Sequence, residues 1–135
     1  MKEIKEFSGE ELCTLVVHGM LEKKATNIMV MDLRHVKNSI TDFFVICSGN
    51  TDTQIAAIAD SVDEEVHKAS GLNPWHQEGR QNREWILLDY VDVVVHVFRK
   101  DRRKFYDLES LWGNADVKII EESVEAENPN QFYLN

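Results

Sequence analysis

Residues 42–71, DFFVICSGNTDTQIAAIADSVDEEVHKASG, decide the fold class of this chain. Asp42 to Ser48 is an almost uninterrupted apolar run of strand length, typical of a strand that is buried on both faces of a sheet. Thr51 and Gln54 then form a capping pattern, and apolar residues recur at helical spacing until Gly71. A buried strand that leads into an amphipathic helix indicates an α/β domain.

Further elements on both sides extend this α/β pattern. Ser8 and Glu11 form another capping pattern at the start of an amphipathic segment. With the central strand and helix they predict a single α/β domain with a mixed β-sheet and helices. The other predicted elements are a helix at 9–24, strands at 28–33, 75–78, 84–89 and 92–98, a helix at 101–112 and an edge strand at 117–120.

Composition indicates one domain with an acidic end. The chain has 135 residues, of which 43% are hydrophobic and 29% charged, enough for a continuous core. Residues 114–135 contain five acids and one base, and supply about −4 of the net charge of −9. We therefore expect a folded domain over residues 1–113 and a partly flexible acidic tail over 114–135.

The net charge argues against a protein that holds RNA or DNA by its phosphates, because that mode needs clustered Lys and Arg. A basic protein partner fits better. Cys13 and Cys47 form no CxxC pair, so we expect no zinc site. The first residues lack the apolar run of a signal peptide and the chain has no 18-residue apolar stretch, so the cytoplasm is the expected location.

The predicted hairpin at 84–98 has one apolar and one mixed face. A turn centred on Tyr90-Val91 gives cross-strand partners whose residue numbers sum to 181. The core face then carries Ile86, Leu88, Val93, Val95 and Val97. The opposite face places Trp85 beside His96, Leu87 beside Val94, and Asp89 beside Asp92. This mixture fits either a protein interface or a face covered by a second layer of helix.

Signals for catalysis are weak. Ser48-Gly49, at a strand-to-helix turn, resembles a phosphate site only as a short fragment, since neither GxxxxGK[ST] nor GxGxxG is present. His76-Gln77-Glu78 offers one carboxylate where a two-metal site needs a pair. We therefore expect a protein that is not an enzyme, with no cofactor and no metal.

Three segments carry a resemblance to a known family: DFFVICSGNTDTQIAAIAD from residue 42, WILLDYVDVVVHVF from residue 85, and RKFYDLESLW from residue 103. Together they resemble the RsfS/Iojap family of ribosomal silencing factors over about residues 8–115. The resemblance implies a nucleotidyltransferase-like fold without its catalytic residues. Val91 stands where many members have Gly, which puts the turn geometry in doubt.

The resemblance also implies a function. The family is a translation repressor that binds the large ribosomal subunit through the ribosomal protein numbered fourteen in the universal scheme and sterically blocks association with the small subunit. No sequence-specific nucleic-acid binding and no membrane is implied. The expected partner-binding residues are Trp85, Leu87, Asp89, Tyr90, Asp92, Val94, His96, Tyr106, Glu109 and Trp112.

Two rival functions stay open. One is a nucleotide-binding or nucleotidyltransferase-type enzyme, favoured by the fold class and Ser48-Gly49. The other is a homodimeric scaffold, in which the same strand face pairs with itself when the protein is off the ribosome.

Overall fold

The computed structural model describes residues 7–103 and 115–120. Its elements follow the predicted order, and the mixed α/β fold class is confirmed. Of the predicted helix at 101–112, all beyond Arg103 lies outside the described residues. The described elements are α1 (Gly9–Glu22), β1 (Thr26–Asp32), β2 (Phe43–Gly49), α2 (Asp52–Ser70), β3 (His76–Glu78), β4 (Trp85–Asp89), β5 (Val93–Arg99) and β6 (Asp116–Ile120).

The capping box predicted at Ser8 and Glu11 is complete, whereas at Thr51 only the N-cap bond forms, because the Gln54 side chain accepts from the Asn50 N–H instead. The Ser8 hydroxyl accepts from the Glu11 backbone N–H at 3.1 Å, while the Glu11 carboxylate accepts from the Ser8 N–H at 3.0 Å. The Thr51 hydroxyl accepts from the Gln54 N–H at 3.1 Å. Gly71 ends α2 at a φ of 77°, a left-handed conformation that suits glycine. Local side-chain chemistry thus determines where these helices begin and where α2 ends.

The strands form one mixed sheet in the order β3-β4-β5-β2-β1-β6. β2 and β5 pair in parallel, and the other neighbours pair antiparallel. All seven residues of β2 are buried, which confirms the prediction of a strand covered on both faces. Residues 116–120, which composition groups with the acidic tail, form edge strand β6 beside β1.

Two apolar clusters lie on opposite faces of the sheet. The larger contains α1, α2 and alternate strand residues such as Phe43, Val45 and Cys47. The smaller contains the intervening residues of β2, Phe44 and Ile46, with other strand residues. No helix of the described part of the chain is long and apolar enough to cross a membrane.

The two helices approach closely at Gly19. A Cβ atom there would lie 2.7 Å from the Cα of Val62, and the Ser61 hydroxyl donates to the Gly19 carbonyl at 2.8 Å. The lack of a side chain at Gly19 therefore sets how closely α1 packs on α2, and with it the shape of the helical layer.

Gly19→Ala should lower the free energy of unfolding by about 1–3 kcal/mol, because the added methyl meets backbone rather than a movable side chain. A loss of stability would identify the close helix contact as the cause, since Gly→Ala in an exposed helix raises the free energy of unfolding by about 0.5–1 kcal/mol. Urea unfolding measures the change. Ser61→Ala is the control: it removes only the hydrogen bond and should cost about 1 kcal/mol. A Gly19→Ala protein as stable as wild type would contradict this packing.

Candidate protein-docking surface

The hairpin register differs from the predicted one by two residues. Partners are Trp85 with Phe98, Leu87 with His96, and Asp89 with Val94, so their numbers sum to 183 and the predicted sum of 181 is wrong. The turn is centred on Val91-Asp92 instead of Tyr90-Val91. Because the shift is even, every side chain keeps its predicted face.

Contacts with a distant loop explain this turn. Val91 has a φ of 76°, an unfavourable value for a β-branched residue. Its carbonyl accepts from the Thr41 hydroxyl at 2.8 Å, and the Asp92 carbonyl accepts from the backbone N–H groups of Asp42 and Phe43. These bonds compensate for the strained backbone and select the observed register.

The helix-side face of the hairpin is the predicted core. Its five predicted residues, Ile86, Leu88, Val93, Val95 and Val97, all have 0% exposure. Tyr90 also belongs to this helix-side cluster, and burial raises the pKa of its hydroxyl. Tyr90, one of the expected partner-binding residues, is thus only 8% exposed and lies on the face of the sheet opposite to Trp85, so it is not available to a partner that binds the mixed face.

The mixed face has buried and accessible parts. Val94 and His96 are only 5% and 3% exposed, so direct contact with a partner is not available to them. Trp85, Leu87 and Asp89 are half-buried, and Asp92 is exposed. The other three predicted binding residues, Tyr106, Glu109 and Trp112, lie outside the described residues.

Trp85 is held by aromatic neighbours. Its indole stacks on Phe98 with ring centroids 5.0 Å apart, and its N–H donates to Nδ1 of His96 at 3.0 Å. Phe44 meets the His96 ring edge-on at 4.6 Å. Burial lowers the pKa of His96 to about 3, so the imidazole is neutral at pH 7. Since Nδ1 accepts, the ring proton resides on Nε2.

Edge strand β3 adds two side chains to this face that were not among the expected binding residues. His76 pairs with Asp89 and Glu78 with Leu87, and paired residues point to the same side of a sheet. Both are exposed, and His76 Nε2 lies 3.0 Å from a Glu78 carboxylate oxygen. Alternation along β3 predicts that His76 and Glu78 share one face of the sheet. Which face that is follows only from the pairing of β3 with β4.

These residues define the docking surface, a strip over the outer strands and the adjoining turn. Its centre, Trp85 and Leu87, is apolar. Three acids lie beside this centre, Glu78 on β3 and Asp89 and Asp92 at the turn, and the surface contains no Lys or Arg. An apolar centre with an acidic rim fits a partner that presents cationic side chains around an apolar patch. The docking surface consists of His76, Glu78, Trp85, Leu87, Asp89 and Asp92.

The alternative phosphate site at Ser48-Gly49 is already occupied by the protein's own groups. The Asn50 N–H donates to the Gln54 side chain at 2.6 Å, and the fully buried Ser48 hydroxyl accepts from Arg103 at 2.9 Å. Asp52 places a carboxylate in the first turn of α2. A phosphate would have to displace these bonds, so the geometry disfavours a nucleotide at this turn.

In the described part of the chain, one group of three potential metal ligands is close together: Asp32, His35 and Asp116, whose ligand atoms lie within 4.8 Å of one another. Both Asp32 oxygens, however, accept from the Arg34 guanidinium at 2.9 and 2.7 Å. This bidentate bond lowers the pKa of Asp32 and satisfies its charge. The group is better described as an ion pair than as a cation site.

Comparisons with known proteins agree on one family. Residues 6–133 match the family described as ribosomal silencing factor during starvation, RsfS. The ribosomal silencing factor RsfS of Halalkalibacterium halodurans is 40% identical over 114 residues, covering 84% of this chain and 96% of the relative. The ribosomal silencing factor RsfS of Bacillus subtilis is 40% identical over 100 residues, which cover 74% of this chain and 83% of the relative. The chloroplastic Iojap protein of Zea mays is 37% identical over 99 residues, covering 70% of this chain and 40% of that protein.

Two solved structures share the fold and carry sequence identity as well. A crystal structure of a Chromobacterium violaceum protein superposes with a TM-score of 0.75 at 29% identity, covering 91% of this chain and 98% of that one. One from Bacillus halodurans gives 0.68 at 36% identity, covering 82% and 97%. With the family match, these establish the resemblance noted in the sequence: the chain belongs to the RsfS family of ribosomal silencing factors.

Proposed function

We propose that this protein represses translation in the cytoplasm by binding the large ribosomal subunit through its ribosomal protein numbered fourteen, and that it thereby blocks association with the small subunit. Family membership supports the ribosome as the target. The observation that carries the mode of binding is the docking surface, with half-buried Trp85 and Leu87 beside three acids.

Each part of the docking surface has a distinct role in this proposal. Trp85 and Leu87 form the anchor, because burial of an aromatic and an aliphatic side chain at the centre of an interface supplies most of the affinity. The acids Glu78, Asp89 and Asp92 meet Lys or Arg side chains of the ribosomal protein. Charges at a rim chiefly accelerate and orient association.

Charge also favours a protein contact over an RNA contact on the ribosome. The chain carries −9, and the docking surface has acids but no Lys or Arg. Ribosomal RNA would repel such a surface, whereas a basic ribosomal protein attracts it. Repression then needs no chemistry, because a bound domain of 15.6 kDa at the subunit interface occupies space that the small subunit requires.

Sedimentation with purified subunits tests the proposal. The protein should pellet with the large subunit and stay in the supernatant with the small one. A pull-down with the isolated ribosomal protein then asks whether that protein is the contact. Binding to the small subunit alone, or to neither subunit, would overturn the proposal.

A further inference from the structure

We propose that His96 is a positioning residue, an inference that rests on the proposed function. It fixes the orientation in which the Trp85 indole meets a partner, because its Nδ1 accepts a hydrogen bond from the indole N–H. His96 is 3% exposed, so it acts on a partner through Trp85 and not by contact.

The geometry singles out this pair. Trp85 on β4 and His96 on β5 are not direct cross-strand partners, yet the indole N–H reaches Nδ1 at 3.0 Å. Stacking on Phe98 sets the plane of the indole, at 28° to the phenyl ring. Stacking alone does not distinguish the two indole edges, whereas a hydrogen bond from one edge does. The hydrogen bond therefore fixes which edge of the Trp85 indole meets His96.

The other ring nitrogen of His96 shows what this arrangement costs. Nε2 is buried and has no hydrogen-bond partner within residues 7–103 and 115–120. An unsatisfied buried polar atom is unfavourable, and the site is otherwise lined by apolar residues such as Phe44 and Phe98. A leucine of similar volume would fill the same space but would supply neither the hydrogen bond to Trp85 nor the ring contacts with Phe44 and Phe98. Orientation of Trp85 accounts for an imidazole at this site.

A double-mutant cycle tests the inference on the full chain. His96→Leu removes the acceptor, and Trp85→Phe removes the donor while it keeps an aromatic ring on Phe98. His96→Leu should weaken binding to the large subunit about five- to tenfold, the value of one hydrogen bond. In the Trp85→Phe background the same exchange should have no further effect.

Indole NMR supplies a readout that does not involve the ribosome. The Trp85 N–H signal is assigned by its loss in Trp85→Phe, with Trp75→Phe as the matched control. In His96→Leu this signal should shift and its hydrogen exchange should quicken about tenfold, while thermal unfolding shows the domain still folded.

The outcomes separate the two proposals. Unchanged indole exchange in His96→Leu would overturn the positioning role whatever the ribosome binds. Faster exchange with wild-type affinity, or an equal loss in both backgrounds, would overturn it and leave the proposed function standing. A wild-type protein that binds no large subunit would overturn the proposed function and this inference together.

Discussion

A variant with Asp89→Asn and Asp92→Lys is expected to bind the large ribosomal subunit roughly 10- to 100-fold more weakly than wild type. It removes one negative charge from the rim of the docking surface and reverses another. A partner surface of Lys and Arg would then meet a cation in place of two anions. Sedimentation at several salt concentrations measures the loss, which should shrink as salt screens the charges.

The two exchanges differ because the two acids differ structurally. One carboxylate oxygen of Asp89 accepts from the Val91 N–H at 2.8 Å, so Lys there would also disturb the turn. Asn keeps an acceptor oxygen and removes only the charge. Asp92 is exposed, and Lys fits without loss of packing. Glu64→Lys, an exposed reversal on α2 across the sheet, is the matched control and should bind as wild type. Unchanged binding by the double variant would refute the acidic rim.

Stability should fall by about 2–3 kcal/mol between pH 7 and pH 4.5 because of His96 alone. Its pKa is about 3 in the folded protein, against an ordinary 6.5. The unfolded chain therefore takes up a proton at this residue over a pH range in which the folded one does not. Stability from the neutral ring is complete above pH 6.5 and is lost as pH falls toward 3.

Urea unfolding over this pH range isolates the contribution of His96. His96→Leu cannot take up that proton when it unfolds, so its stability curve should be flatter than that of wild type by the same 2–3 kcal/mol. His67→Gln removes an exposed histidine and should follow the wild-type curve. Parallel curves for wild type and His96→Leu would contradict the prediction, because they would mean that His96 takes up its proton in the folded protein over the same pH range as in the unfolded chain.

Local signals in the sequence predicted much of the fold. The capping residues Ser8 and Thr51, the glycine at 71 and the apolar run of β2 all act on their own neighbours in the chain, and each is where it was expected. The faces of the hairpin were also predictable, since alternation along a strand survives an even shift of register.

The register itself was not predictable from local residues. Thr41 bonds to the Val91 carbonyl from 50 positions away, and this contact holds a valine at a positive φ. The residue types in a turn carry no information on such a long-range hydrogen bond. The same holds for Tyr90, whose burial on the helix side follows from where the turn begins.

The candidate site was predicted in outline, with a different membership. Trp85, Leu87, Asp89 and Asp92 remain accessible to some degree, whereas Val94 and His96, on the neighbouring strand, are buried. His76 and Glu78 belong to the docking surface only because β3 pairs with β4. β3 has three residues, too few for the sequence to predict both the strand and its register. Burial and strand pairing are tertiary properties, so this part required the structure.

Joining of purified ribosomal subunits, followed by light scattering, shows whether the bound protein keeps the two subunits apart. Wild-type protein, incubated with the large subunit before the small one is added, should reduce the amplitude of joining in proportion to its occupancy. The Asp89→Asn and Asp92→Lys variant should need roughly 10- to 100-fold more protein for the same reduction. Full joining in the presence of saturating wild-type protein would show that this protein does not block subunit association.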